Sequence, residues 1–117
     1  MKRKNCCPIA QALGVLGDKW SLIVLRDVIF GKKRHFNDLL ASPEKISTNI
    51  LSNRLKNLQQ ESLLCCSGDL ENRRSKIYTP TEKAQDLVPV LGELYKWGEK
   101  YNDKVDRLEN PSQAGPF

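Results

Sequence analysis

The 117-residue sequence predicts a mostly α-helical fold with one small β-hairpin. Two observations support this prediction. Five segments place apolar residues at the three- and four-residue spacing of a helix, and residues 63–78 form two strand-like runs around a polar, turn-rich loop. The length fits one domain, which we expect over residues 1–108, with a flexible tail over residues 109–117.

Capping and breaking residues delimit the first two helices. The first is expected over residues 9–16, between Pro8 and the helix breaker Gly17. Asp18 is a good N-cap for a second helix that runs to Phe30. Because the second helix is apolar on most sides, we expect it to lie at the centre of the fold.

The third and fourth helices form a helix-turn-helix pattern. A short helix is expected over residues 35–41, a turn over residues 42–45, and a longer helix from the N-cap Ser47 to about Glu61. In units of this kind the second helix enters the major groove of DNA. Together with the hairpin, or wing, that follows, the pattern predicts a winged helix-turn-helix.

The outer face of the fourth helix has an unusual composition. It carries one charge and otherwise small hydrogen-bonding groups: Thr48, Asn49, Ser52, Asn53 and Lys56. Short amide and hydroxyl side chains suit contacts with base edges, and the lysine suits a phosphate. The face alone is equally compatible with an ordinary polar surface, but the preceding turn and the following hairpin favour DNA.

Basic residues flank the fourth helix in the sequence. The hairpin carries Arg73, Arg74 and Lys76, and Arg34 lies in the turn before the third helix. We expect the three hairpin residues to contact phosphates or the minor groove, and Arg34 to contact a backbone phosphate. Arg54 instead falls on the apolar side of its helix, so we expect its stem to pack at the core edge and its head to pair with a carboxylate. The net charge of +5 fits a polyanionic partner, nucleic acid before an anionic membrane.

The last helix predicts a dimer. The run from Thr79 to Glu82 resembles a capping box, and the helix is expected to reach about Leu108 with a kink near Pro89. Its apolar residues recur at alternating spacings of three and four, as in helices that pair with a second copy. With the first helix they give a predicted interface of Ile9, Leu13, Leu91, Leu94, Gly98, Tyr101 and Val105.

The four cysteines form two adjacent pairs, Cys6-Cys7 and Cys65-Cys66. Adjacent cysteines rarely bind one metal ion, and the chain has a single histidine, so we expect neither a metal site nor a cofactor. In the cytosol the cysteines should be thiols. On a strand Cys65 and Cys66 should alternate, with one in the core and the other exposed.

Composition and motifs argue against several classes of protein. No apolar run is long enough to span a membrane, and the basic N-terminus is not followed by the apolar stretch of a signal peptide, so we expect a cytoplasmic protein with no membrane partner. The sequence shows no phosphate-binding loop, no metal-ligand spacing and no nucleophile–base pair, so nothing in it indicates an enzyme. Two alternatives stay open: a winged-helix protein–protein adaptor without DNA binding, and a small-ligand-responsive regulator whose pocket uses Trp20, Trp97 and Tyr101.

Several motifs together resemble the HxlR-type winged helix-turn-helix regulators, which are related to the MarR class. The resemblance covers roughly residues 6–101, and its motifs are Cys7-Pro8, Leu16-Gly17-Asp18-Lys19-Trp20, Phe36-Asn37-Asp38-Leu39, Ile46-Ser47, Leu51-Ser52-Asn53-Arg54-Leu55-Lys56-Asn57-Leu58 and Tyr78-Thr79-Pro80-Thr81. The chain departs from the family pattern at Ser62, where the family usually has glycine, at Ala84, and in a more basic wing without the common proline pair.

The resemblance implies a sequence-specific transcription regulator that binds double-stranded DNA as a homodimer built from its first and last helices. It also implies that Cys7 matches the cysteine with which several members sense oxidants or electrophiles, so an oxidant or small-molecule effector is expected. A helix N-terminus and nearby basic residues would stabilise the thiolate of Cys7. A disulfide between subunits could then reorient the two recognition helices.

Overall fold

The computed structural model describes residues 7–68, 71 and 75–102. Its elements are α1 (Pro8–Leu16), α2 (Lys19–Ile29), α3 (Phe36–Leu40), α4 (Thr48–Gln60), β1 (Leu64–Gly68), β2 (Lys76–Pro80), α5 (Glu82–Gln85) and α6 (Val88–Tyr101). This confirms the predicted fold class, a mostly helical chain with one hairpin. The extent of the domain over residues 1–108 stays a prediction, and the tail lies outside the described residues.

Helix α2 lies at the centre of the fold, as its composition predicts. Its N-cap is Asp18, whose carboxylate accepts a hydrogen bond from the Ser21 amide at 2.9 Å. Val24, Leu25 and Val28 are buried in the core. A helix that is apolar on most sides can pack against neighbouring elements on each of those sides.

The helix-turn-helix consists of α3 and α4. Ser47 caps α4 as predicted, its hydroxyl accepting from the Ile50 amide at 3.2 Å. The inner side of α4 is fully buried through Leu51, Leu55 and Leu58. Tight packing on that side leaves the opposite side of α4 facing outward.

The wing is a two-stranded antiparallel sheet in which Cys66 lies opposite Tyr78 and Leu64 opposite Pro80. The Tyr78 amide also donates to the Arg34 carbonyl oxygen at 2.8 Å, across to the segment that precedes α3. Tyr78 itself is buried. The wing is therefore joined to the helix-turn-helix by a backbone hydrogen bond as well as by the core.

The predicted start of the last helix is wrong. Thr79 and Pro80 are the final residues of β2, and the N-cap of α5 is Thr81, whose hydroxyl accepts from the Ala84 amide at 3.2 Å. Proline is tolerated at the end of an edge strand, so strand pairing continues through the run that resembles a capping box.

The predicted single helix with a kink is also wrong, because α5 ends at Gln85 and α6 begins at Val88. Pro89 lies in the first turn of α6, where its missing N–H removes no intrahelical hydrogen bond. Contacts to the end of α4 hold this region in place. Thr81 Oγ1 donates to the Ser62 carbonyl at 2.7 Å, and Lys83 Nζ donates to the Glu61 carbonyl at 2.7 Å.

Candidate nucleic-acid interface

The outer face of α4 is exposed along its whole length. All five residues predicted to contact DNA there lie on this surface: Thr48, Asn49, Ser52, Asn53 and Lys56. They share one side of a helix whose other side is buried, so the structure brings them together in the predicted arrangement. We call this surface the recognition face.

Hydrogen bonds orient one amide of the recognition face. The Oδ1 atom of Asn53 accepts from the Arg54 guanidinium and from Asn57 Nδ2, the latter at 3.2 Å. Because the oxygen of the exposed Asn53 side chain is engaged on the protein, its NH₂ group is the part left to bind a ligand. An amide donor is complementary to the N7, O6 or O4 acceptors of base edges in the major groove.

Arg54 has the structural position that its place in the helix predicts. Its Nη2 atom lies 2.6 Å from Asp18 Oδ2. Partial burial raises the pKa of Asp18, but hydrogen bonds from the Ser21 amide and Arg54 outweigh it, and the pKa is held below its ordinary value. The N-cap of α2 is thus ionically linked to α4, and the prediction that Arg54 pairs with a carboxylate is confirmed.

A second ion-pair network holds the turn between α3 and α4. The guanidinium of Arg26 donates to both oxygens of Glu44, each at 2.8 Å, and to Asp27 Oδ1 at 2.8 Å. Ser42 Oγ donates to Glu44 Oε1 at 2.5 Å. The hydrogen bonds from Arg26 are the main reason why the pKa of Glu44 is lowered to about 2. The same hydrogen bonds raise the pKa of Arg26.

This network was not predicted from the sequence, although the sequence carries one signal of it. An adjacent arginine and aspartate in an otherwise apolar central helix must find partners, because an unpaired buried charge is costly. Asp27 is indeed buried. The partner, Glu44, lies 18 residues further along the chain, so only the folded structure identifies it.

The predicted basic contacts differ in their surroundings. Lys76 is exposed at the start of β2. Arg34 is half-buried, and its Nη1 atom donates to the Val28 carbonyl at 2.5 Å, so it anchors its segment to α2. That structural role was not predicted, and a DNA contact by Arg34 stays a prediction. Arg73 and Arg74 lie outside the described residues.

Helices α1 and α6 expose large apolar side chains. On α1, 71% of Ile9 and 58% of Leu13 are accessible. On α6 the exposed apolar stripe consists of Val90, Leu94, Trp97 and Tyr101. We call these six residues the apolar face.

The interface predicted on α6 needs one correction. Leu91 is only 8% exposed and belongs to the chain's own core, because it points toward the core while its neighbour Val90 points away. Gly98 makes no close contact within one protomer, since a Cβ built there would meet no described atom within 4 Å. Its place in the dimer interface stays a prediction. Val105 lies outside the described residues.

The three aromatic residues expected to line a ligand pocket are not brought together. Trp97 and Tyr101 contact each other, with ring centroids 5.5 Å apart, and line an open groove of about 980 Å³ along α6. The other residues that line this groove also belong to α6, whereas Trp20 packs against the core. Within the described residues of one protomer, Trp20 therefore does not share a pocket with Trp97 and Tyr101.

The described cysteines have different surroundings. Cys7 is exposed at the N-cap position of α1. Cys65 is exposed and Cys66 is partly buried against the core, which confirms their predicted alternation. Burial, together with a hydrogen bond to Cys66, raises the pKa of Tyr78.

The described part of the chain contains neither a cluster of metal-ligating side chains nor a membrane-spanning helix. Among residues 7–68, 71 and 75–102, no group of three or more His, Cys, Asp or Glu side chains is placed to hold a metal ion. In the same residues no helix has the length and apolar character needed to cross a bilayer.

Comparison with known proteins identifies similar chains. A sequence profile described as HxlR-like helix-turn-helix matches residues 15–106. YdeP of Bacillus subtilis, named as an HTH-type transcriptional regulator, is 33% identical over 108 residues, which cover 92% of this chain and 84% of YdeP.

Solved structures are similar over most of the fold. The redox regulator HypR in its oxidised form matches with a TM-score of 0.72 and 25% identity, covering 83% of this chain and 99% of HypR. The transcriptional regulator YodB from B. subtilis, in its reduced form, matches with a TM-score of 0.65 and 27% identity, covering 87% of this chain and 100% of the YodB chain. YodB has also been solved with quinone bound.

Proposed function

Since the chain belongs to the HxlR-like helix-turn-helix family of transcription regulators, we propose that it binds double-stranded DNA sequence-specifically as a homodimer. The observation that carries the proposal is the recognition face of α4. It is exposed, mostly uncharged and composed of short hydrogen-bonding side chains on a rigid helix. A protein adaptor would be expected to show apolar or acidic residues on this face.

Each part of the recognition face has a proposed role. Thr48, Asn49 and Ser52 lie in the first half of α4, which is the part of a recognition helix that contacts base edges. Asn53 adds an oriented amide donor. Lys56 lies furthest along the helix and contacts a backbone phosphate.

Contacts outside α4 add affinity rather than sequence preference. We assign phosphate or minor-groove contacts to Lys76, Arg73 and Arg74 of the wing, and a phosphate contact to Arg34. A DNA-binding role is consistent with the expected cytoplasmic location. It also requires no membrane partner.

The homodimer is proposed to form through the apolar face. Ile9 and Leu13 on α1 and the stripe on α6 are too exposed to be stabilised within one protomer. A second copy covers such a face symmetrically, and the open space around Gly98 permits a close approach of the partner helix. Dimerisation also spaces two recognition helices for two half-sites.

A change of Leu94 to glutamate tests the dimer. The charge would lie within the buried interface, so we expect a monomer in sedimentation equilibrium and much weaker DNA binding. Gln60→Glu, which adds the same charge at the exposed end of α4, should remain dimeric. A dimeric Leu94→Glu protein would place the interface elsewhere.

We extend the proposal to an oxidant-responsive thiol at Cys7. Its exposure at the start of α1, beside the proposed interface, supports this role, as does the similarity to HypR and quinone-bound YodB. Two Cys7 thiols, one from each protomer, would form a disulfide while a quinone accepts their two electrons and two protons.

Non-reducing electrophoresis after quinone treatment tests this step. A covalent dimer should form in the wild type and in Cys65→Ser, which removes another exposed thiol, but not in Cys7→Ser. A covalent dimer that persists in Cys7→Ser would show that a different cysteine reacts.

DNA binding is tested by the affinity for random-sequence duplex across a salt series. Each phosphate contact contributes about −0.9 to the slope of log K against log salt. Lys56→Ala should make the slope shallower by about one, and Arg73→Ala combined with Arg74→Ala should do so by about one or two. Lys96→Ala, which removes a charge from α6, should leave it unchanged.

Selection of preferred sequences then tests the assignment of base contacts. Asn49→Ala and Ser52→Ala should relax the sequence preference while keeping the salt slope. No binding at low salt, or a slope near zero, would contradict the proposed function and favour a protein–protein adaptor.

A further inference from the structure

A polar cleft of about 330 Å³ lies between the beginning of α3 and the beginning of β2. Its walls come from two separate parts of the chain, the helix-turn-helix and the wing. The lining residues are His35, Phe36, Asn37, Ser75, Lys76 and Tyr78. Only Lys76 among them belongs to the contacts assigned above.

The shape of the cleft is set by the folded core. The two walls are joined where the Tyr78 amide donates to the Arg34 carbonyl at 2.8 Å. Arg34 in turn donates through Nη1 to the Val28 carbonyl of α2. Tyr78, which lines the cleft, is buried. A site held in this way needs little reorganisation when a ligand binds.

The chemistry of the lining suits an oxyanion. The Lys76 ammonium, the Ser75 hydroxyl and the Asn37 amide can all donate hydrogen bonds. None of the described residues that line the cleft is acidic. The carboxylate of Asp38, which does not line the cleft, lies 3.6 Å from His35 Nδ1.

We infer that this cleft holds a phosphate group of the DNA backbone, an inference that rests on the proposed DNA binding. In helix-turn-helix proteins the first helix crosses the backbone while the second enters the groove, and here the first helix, α3, forms one wall. The wing forms the other wall, so one phosphate is held by both DNA-contacting units. A free phosphate offers the same chemistry, and the test separates the two sources.

Asn37→Asp is the sharpest variant, because it keeps the shape of an exposed side chain and places a negative charge at the phosphate. We expect the affinity for duplex DNA at low salt to fall about five- to tenfold. Gln85→Glu makes the same amide-to-carboxylate change on α5 and should have little effect. Lys76→Ala should reduce the salt slope by about one.

The chain has one histidine, so the imidazole NMR signals of His35 report on the cleft without ambiguity. They should shift on addition of a short duplex but not on addition of inorganic phosphate at the same phosphate concentration. A shift with inorganic phosphate alone would assign the cleft to a free anion and overturn the inference.

Two further outcomes separate this inference from the proposed function. If duplex binds but leaves the His35 signals unmoved, and Asn37→Asp behaves like Gln85→Glu, the cleft is not a DNA phosphate site and the proposed function stands. If the wild-type protein binds no duplex at low salt, the proposed function is wrong and this inference is wrong with it.

Discussion

Replacement of Glu44 by glutamine tests how the turn between α3 and α4 is held. Both oxygens of Glu44 accept from the Arg26 guanidinium at 2.8 Å, and Oε1 also accepts from the Ser42 hydroxyl. Glutamine keeps the shape of the side chain, but it has no charge and only one acceptor oxygen. The bidentate ion pair between Arg26 and residue 44 is therefore lost.

The pKa of Glu44 bounds the magnitude of the effect. The Arg26 hydrogen bonds outweigh partial burial and, with help from Ser42, lower this pKa from 4.5 to about 2. That difference corresponds to at most about 3 kcal/mol of stability. Because 39% of the Arg26 side chain and 34% of the Glu44 side chain are exposed, solvent screening reduces the expected loss to about 1–2 kcal/mol.

The same contribution depends on pH in a defined direction. A carboxylate whose pKa is lowered by folding stabilises the protein fully above its ordinary pKa of 4.5, and this stability is lost as the pH falls toward 2. Urea unfolding at neutral pH and fixed protein concentration should show Glu44→Gln to be less stable than the wild type. The difference should shrink as both proteins are acidified through that range.

The matched control is Glu93→Gln, which removes a carboxylate from an exposed pair with Lys96 at 3.6 Å on α6. Its cost should be below about 0.5 kcal/mol. The reasoning would be refuted if Glu44→Gln cost no more than this control at neutral pH, or if the difference from the wild type stayed constant on acidification.

Three further changes have expected effects on the free energy of unfolding. Ser62 has a positive φ of 64°, so Ser62→Gly should stabilise the protein by about 0.5–1 kcal/mol. The control Ser52→Gly, within α4, should destabilise it. A loss of stability in Ser62→Gly would contradict the strain argument. Asp18→Ala removes both the cap of α2 and the partner of Arg54, and should cost about 1–2 kcal/mol of stability. Asp18→Asn keeps the cap and should cost less. Equal costs for the two variants would show that the cap contributes little. Thr81→Ala should cost about 1 kcal/mol in the same unfolding experiment, and an unchanged stability would count against Thr81 as the cap of α5.

Local signals in the sequence were sufficient for much of the fold and for the recognition face. The caps Asp18 and Ser47, the apolar α2 and the polar outer side of α4 were all predicted from residues a few positions apart. Angular position alone also placed Arg54 toward the core. These features depend on helical periodicity and on hydrogen bonds within one turn, which act over short stretches of chain.

The tertiary structure decided which of several local options was realised. The sequence predicted a cap at Thr79, but pairing with β1 draws Thr79 into the strand, and the N-cap of α5 is Thr81. The apolar repeat of α6 suggested Leu91 as an interface residue, and packing in the chain's own core took it instead.

Long-range contacts likewise could not be predicted from the sequence. The pair of Arg26 with Glu44 and the cleft between α3 and β2 join residues that lie far apart in the chain. A short sequence window specifies propensity, periodicity and capping, and these determined the elements and the outward face of α4. Which distant groups meet depends on how all the elements share one core, because the free energy of burial is gained by the assembly as a whole and not by any element alone.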